Sequence, residues 1–170
     1  LYVGISSYDV AGTLKAAEIL QREGVPLLVH QPVYSLLNRE IENGLLDALE
    51  KIGAGCVVFS PLAQGLLTDK YLSGVPDESR AAKSRYLDKS VITPTLLTVV
   101  RELNEIARTR GQSLAQMAIA WTLRDSRVTS SIAGARTVAQ LDETLDALKN
   151  ATFSPEELAR IEQSLSALKG

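Results

Sequence analysis

The sequence predicts an α/β protein built on a parallel sheet, and three features point to it. Short apolar runs alternate with longer segments of helical periodicity along most of the chain. The run from Gly55 to Phe59 carries no polar side chain except the Cys56 thiol, as a strand covered on both faces requires. Turn formers and capping residues fall where one kind of segment gives way to the other.

The elements follow in order. Leu1 to Ser6 reads as a strand that runs out into Ser6 and Ser7, and residues 9–24 as a helix with Asp9 placed to cap it and Gly24 to stop it. Leu27 to Gln31 is a second strand. After a polar loop, residues 41–53 read as one helix closing at Gly53, and Gly55 to Leu62 as a third strand. The pattern then lapses from Ala63 to Thr93, through a stretch rich in turn formers and charge; a connection of that length in a compact domain is expected to serve a function. Thr93 with Pro94 opens the next helix, which ends on Gly111. Ser113 and Gln116, at capping-box spacing, open another that runs to Asp125. Arg127 to Gly134 is the fourth strand, followed by a helix from Thr137 whose Gln140 again has capping-box spacing. Ser154, Pro155 and Glu157 start the last helix.

Composition narrows the function classes. A chain of 170 residues with 45% hydrophobic and 22% charged side chains suits one globular domain spanning residues 1–170. A net charge of −2 counts against a nucleic-acid or polyanion binder, which needs surplus Lys and Arg. No run approaches the ~20 apolar residues of a membrane span, and the first residues lack the layout of a signal peptide, so no membrane partner is expected. The single cysteine, Cys56, allows neither an intramolecular disulfide nor a cysteine-based zinc site; its apolar neighbours make it a packed thiol, and the expected location is the cytoplasm. No metal site is expected. Neither a G-x-G-x-x-G turn nor a P-loop occurs. His30 is the one histidine, and alternation along its strand turns it away from the side that Gln31 faces, toward the helical layer.

Four strand–helix units amount to half of an eight-stranded barrel, a fold that takes about 250 residues. Such a sheet has two raw edges and must curl, be covered or meet another sheet. In barrels and open α/β folds alike, ligands bind where strands end at their carboxyl side. Those positions hold Ser6, Ser7, Gln31, Phe59, Ser60, Pro61, Gly134 and Arg136. A structural role stands beside each: the serines can begin a turn, the Gln31 amide can bond loop backbone, Phe59 can be core, and Gln140 can simply close its helix. Arg136 is harder to assign that way. A cation beside a helix N-terminus is at the wrong end of the helix dipole unless an anion is bound there, and a phosphate suits the positive helix end, the guanidinium and Gly134 together.

The blocks GISSY, HQPVYSLLNRE, VVFSPLAQGLLTDKY and IAGARTVAQLDE, in that order, resemble the aldo-keto reductases, and more narrowly the branch of bacterial L-glyceraldehyde 3-phosphate reductases and potassium channel β subunits. The resemblance implies a parallel βα half of a TIM (β/α)8 barrel, with strands like the fifth to eighth, and NADP(H) as cofactor. It implies that Ser6, Ser7 and Gln31 hold the nicotinamide carboxamide and that Phe59 stacks on its ring. Ser60, Pro61, Leu62, Ala63, Gln64 and Gly65 would wrap the pyrophosphate, with charge from Lys70 and Arg80. Gly134 and Arg136 would face the adenosine phosphate, and Gln140, Glu143 and Thr144 the adenine. The family's catalytic Asp, Tyr, Lys and His lie on the earlier half of its barrel, so no catalytic residue is assigned here. A small carbonyl substrate is implied for the complete enzyme, with the missing N-terminal half or a second copy of the chain as partner; the alternative is a non-catalytic nucleotide-binding or self-associating half-barrel.

Overall fold

The structure is a computed structural model that describes residues 2–72 and 91–168. At its centre is a sheet of four parallel strands lying side by side in chain order: β1 (Val3–Ser6), β2 (Leu27–Gln31), β3 (Gly55–Phe59) and β4 (Val128–Ile132). Each connection moves one strand over in the same sense, so the four carboxyl ends emerge on one side. The register keeps them level: Ser6 lies opposite Gln31, and Phe59 opposite Ile132. An isolated parallel bridge from Val33 to Phe59 carries the β2–β3 pairing past the end of β2.

Among the described residues six α-helices accompany the strands: α1 (Val10–Arg22), α2 (Leu45–Ile52), α3 (Pro94–Thr109), α4 (Leu114–Thr122), α5 (Val138–Asp146) and α6 (Pro155–Ser166). Their starts are chemically explicit. The Asp9 carboxylate accepts the Gly12 amide at 2.7 Å, Thr93 accepts the Leu96 amide at 3.1 Å, and the pairs Ser113–Gln116 and Ser154–Glu157 close reciprocal capping boxes.

Four expectations change, the first being that the third strand ends at Phe59 rather than Leu62 because Ser60 takes a left-handed φ of +59°. Residues 41–53 are not one helix. A 3₁₀ turn covers Glu40–Glu42, Gly44 takes a left-handed φ of +94°, and α2 starts only at Leu45. The Asn43-Gly44 turn signal outweighs the helical periodicity around it. Helix α4 stops at Thr122, because Arg124 folds back to donate to the Trp121 carbonyl at 3.1 Å. The stretch after β3 is not patternless: it holds 3₁₀ turns at Ala63–Gly65 and Asp69–Tyr71. Its continuation through residues 73–90, with the predicted site residue Arg80, lies outside the described residues.

One face of the sheet is buried under helices. Cys56, Val58 and Val128 join the core with Leu46 and Leu49 of α2, Val99 and Leu103 of α3 and Met117 of α4. Cys56 is fully buried, and desolvation pushes its thiol up to about 11, the signature of a packed thiol. On the other face Gly4, Ser6, Ser130 and Ile132 are exposed. The helical layer is also uneven. Helix α1 buries only Thr13 and α5 buries nothing, while Leu14 and Ile19 of α1 and Val138, Leu141 and Leu145 of α5 stand exposed.

A polar cluster ties the middle of the molecule together. The Tyr34 hydroxyl donates to Glu42 Oε1 at 2.6 Å, and Arg124 donates to the Tyr34 oxygen at 2.5 Å and to the same carboxylate at 2.8 Å. Arg39 donates to Glu42 Oε2 at 2.6 Å and also bonds Glu162 of α6. The guanidinium of Arg124 stacks 3.5 Å from the centre of the buried Trp121 ring. Burial raises the Glu42 pKa, but hydrogen bonds from Arg39, Tyr34 and Arg124 outweigh it and hold the carboxyl below the ordinary glutamate value. Glu42→Ala, which leaves the Arg124 guanidinium without a carboxylate and Arg39 with Glu162 alone, should lower unfolding free energy by about 3 kcal/mol near neutrality. The sign follows from the depressed pKa: the contribution is present above the unfolded value and lost as pH falls through the folded one. Urea titrations should therefore show the difference between parent and variant shrinking below about pH 4.

Candidate cofactor-binding cleft

A cleft of about 650 Å³ opens at the carboxyl ends of β3 and β4, within the size range of small-molecule sites. One wall is the turn that follows β3. Its backbone is unusual: Ser60, Ala63 and Gln64 have φ of +59°, +46° and +58°, and Gly65 follows at +98°. Left-handed backbone costs a non-glycine residue roughly 1 kcal/mol or more, and such residues gather where a backbone must approach a ligand. Among the described residues the only other non-glycine with positive φ is Ser7, at +59°, immediately after β1. Ser7 and Ser60 thus make the same left-handed kink just beyond two different strands.

The opposite wall comes from the end of β4 and the start of α5. Gly134 and Arg136 line it, followed by Gln140, Glu143 and Thr144 one and two turns into α5. Gln140 does not close a simple capping box. Thr137 accepts the Gln140 amide at 3.2 Å, but the Gln140 carbonyl oxygen reaches past Thr137 and accepts the Arg136 amide at 2.9 Å. The side chain therefore fixes the backbone of Arg136 itself. Lys70 lines the cleft from the β3 side, so two cations of two separate segments face one space.

Of the residues singled out from the sequence, Ser60, Pro61, Leu62, Gln64, Gly65 and Lys70 share this cleft with the five on the β4 side. Ala63 does not line it and instead shapes the turn through its strained φ. Ser6, Ser7, Gln31 and Phe59 stand along the neighbouring strand ends, outside the cleft wall. There the Ser6 hydroxyl donates to the Gln31 carbonyl at 2.8 Å and the Ser7 amide to the same oxygen at 3.2 Å. The Phe59 amide donates to Pro32 and its carbonyl accepts from Tyr34, which locks its backbone and leaves the ring half-buried.

Sequence reasoning missed the contribution of α4. Ala115, Gln116 and Ile119 line the cleft floor from one helix face, a spacing visible in the sequence but masked by the apolar character of the whole helix. Gln116 has a second duty. Besides boxing Ser113, its amide donates to the Glu143 carbonyl at 3.2 Å, and the Ser113 hydroxyl donates to the Glu143 carboxylate at 2.8 Å. One capping pair on α4 thereby clamps α5, a helix with no buried residue of its own.

A parallel sheet of four strand–helix units, with its cleft at the carboxyl ends, is the architecture of half a (β/α)8 barrel. The chain belongs to the aldo/keto reductase family, whose family model matches residues 1–166. It is 52% identical over 171 residues to L-glyceraldehyde 3-phosphate reductase of Escherichia coli K12, covering 98% of this chain and 49% of that protein. The same enzyme of Escherichia coli O157:H7 is equally similar, at 52% over the same coverage. A rice protein, described as a probable voltage-gated potassium channel subunit beta, is 36% identical over 168 residues, covering 95% of this chain and 51% of its own length. The chain thus spans about half the length of the curated relatives it matches.

The strained turn makes its own test. Gln64→Gly removes the left-handed penalty and should leave the midpoint of thermal unfolding equal or higher, whereas Gln64→Val should lower stability by about 1–2 kcal/mol, measured by calorimetry.

Proposed function

We propose that this chain, residues 1–170, is the NADP(H)-binding half of an aldo-keto reductase, an oxidoreductase that reduces small aldehydes or ketones to alcohols. The single observation that supports this most is the cleft itself: strained backbone and Lys70 on one side, Arg136 on the other. These donors fit a dinucleotide phosphate. Backbone amides of a tight turn cradle a pyrophosphate, and a guanidinium beside the first turn of α5 suits a phosphate monoester on a ribose. When bound, the cofactor supplies the hydride that reduces the carbonyl.

The rest is the work of the protein. Ser6, Ser7 and Gln31 orient the carboxamide of the nicotinamide, and Phe59 offers a flat apolar face for its ring. Ser60 to Gly65 and Lys70 hold the pyrophosphate, and Gly134, Arg136, Gln140, Glu143 and Thr144 hold the adenosine end. Orientation matters because displacing a reacting group by about 1 Å can cost on the order of a hundredfold in rate. The proton for the developing alkoxide comes from a catalytic Asp/Tyr/Lys/His group on polypeptide outside this chain. That polypeptide also covers the open sheet face and the bare flanks of α1 and α5, where Leu14, Ile19, Val138, Leu141 and Leu145 are exposed. The same flanks favour a second reading, in which another copy of the chain closes the sheet. No helix among the described residues is long and apolar enough to cross a membrane. The cytoplasm is the compartment that suits a reductase with one packed thiol and no disulfide.

Titration with NADPH and NADH, followed by an aldehyde-reduction assay with and without the complementary half, tests both parts. Arg136→Ala should weaken NADPH by at least about tenfold and leave NADH nearly unchanged. Equal losses for the two cofactors would remove the phosphate assignment, and a monomer by light scattering at high concentration would remove the second-copy reading.

A further inference from the structure

His30 is completely buried in the sheet-to-helix layer, yet its ring is not simply packed there. Its Nε2 accepts the backbone N–H of Tyr8 at 3.2 Å, and its Nδ1 is buried with no hydrogen-bond partner among the described residues. An imidazole that accepts through Nε2 carries its proton on Nδ1, so a buried donor is left unpaired, a destabilising arrangement that an apolar side chain would avoid. A purely structural core position would gain by losing it.

The Tyr8 amide explains what the imidazole does. Tyr8 follows Ser7, whose φ of +59° throws the chain into a left-handed kink, and precedes Asp9, the cap of α1. Three bonds tie this kink to β2: the Ser6 hydroxyl and the Ser7 amide to the Gln31 carbonyl, and the Tyr8 amide to His30. The first two hold the strand end. Only the third lies beyond the kink, where a strained residue would otherwise relax toward its favoured backbone. His30 and Gln31 are adjacent, so β2 presents a side chain to the kink from one face and Gln31 to the ligand side from the other.

We propose that His30 is a positioning residue for the nicotinamide end of the site: as a neutral acceptor it fixes the Ser6–Ser7 kink, and through it the hydroxyls that orient the carboxamide. This rests on the cofactor assignment above. Burial lowers the His30 pKa from its ordinary 6.5, which keeps the ring neutral and able to accept.

Two measurements on the purified protein test it. In the first, ¹⁵N NMR of the histidine ring should show the proton on Nδ1 and Nε2 as the unprotonated, hydrogen-bonded nitrogen; the reverse tautomer overturns the proposal without any substitution. In the second, binding of NADP⁺ is compared with binding of 2′,5′-ADP, which has the adenosine phosphates and no nicotinamide. His30→Leu removes the acceptor and should weaken NADP⁺ by about tenfold with 2′,5′-ADP unchanged, while His30→Gln, whose amide oxygen reaches the position of Nε2, should restore NADP⁺ binding to within about threefold. Parallel losses for both ligands, or no loss for NADP⁺, overturn the positioning role. If the parent protein binds neither ligand, the cofactor assignment fails and this inference falls with it, an outcome distinct from failure of the variants alone.

Discussion

Parallel pairing in unbroken chain order is the constraint on which the rest depends. Because β1 to β4 lie side by side and run the same way, the chain can return only through helices on the far side, and every strand must end on the same rim. Register then decides what that rim presents. With Ser6 opposite Gln31 and Phe59 opposite Ile132, a one-residue slip would send each of these side chains to the other face. Two of the strands leave the rim through a left-handed serine, Ser7 and Ser60, and this repeated kink brings polar backbone to the edge of the open face. The rim is thus a set of donors held by a rigid sheet, the physical form that ligand orientation requires.

What holds the rim in place differs from one end to the other. The turn after β3 stands on fully buried neighbours, since Val58 below it and Leu67 beyond it are both inaccessible to solvent. Helix α5 has no such support. Its position depends on polar bonds: Ser113 and Gln116 grip Glu143, and Gln112 reaches the carbonyls of Ala147 and Asn150 just past its end. Arg110, whose side chain is almost fully buried, bonds the carbonyls of Asn150 and Thr152 and pairs with Glu157 of α6. A helix held by polar clamps at an exposed flank opens at lower cost than one held by core packing. The α5 side of the cleft is therefore the more easily deformed, and the turn after β3 the more rigid.

The strands and most helix starts were legible in the sequence because each is set locally. Apolar runs mark the strands, and Asp9, Thr93, Ser113 and Ser154 each carry the side chain that their helix start uses. The break at Asn43-Gly44 was masked because apolar spacing on both sides of it fits a single helix; only the tolerance of glycine for φ of +94° decides between the two. Gln140 looked like an ordinary box partner because spacing records which residues are within reach, not which amide the side chain selects. The strained residues Ala63 and Gln64 carry no sequence sign at all, since nothing in an alanine or a glutamine announces positive φ. Long-range polar contacts were equally hidden: that a capping pair on α4 would also clamp Glu143 depends on how two helices lie, which pairwise spacing along one helix does not encode.

Holding a cofactor and donating a proton make different demands, and the proposed distribution of residues follows that difference. Affinity for a dinucleotide comes chiefly from its phosphates, which are charged, far from the reacting carbon and well served by backbone amides and guanidinium groups. Proton donation needs one acid within hydrogen-bond reach of the developing oxyanion, with a pKa tuned by its own neighbours. In a (β/α)8 barrel these tasks fall to loops from different strands, so a polypeptide carrying four of them can hold most of one task and none of the other. In the proposed site His30 lies where the two meet. In the proposed arrangement a few donors beside β1 and β2 orient the nicotinamide ring, and the bond from the Tyr8 amide to His30 ties down the strained backbone that follows them. On that proposal, precision at the reacting end is supplied by a residue that makes no contact with the cofactor.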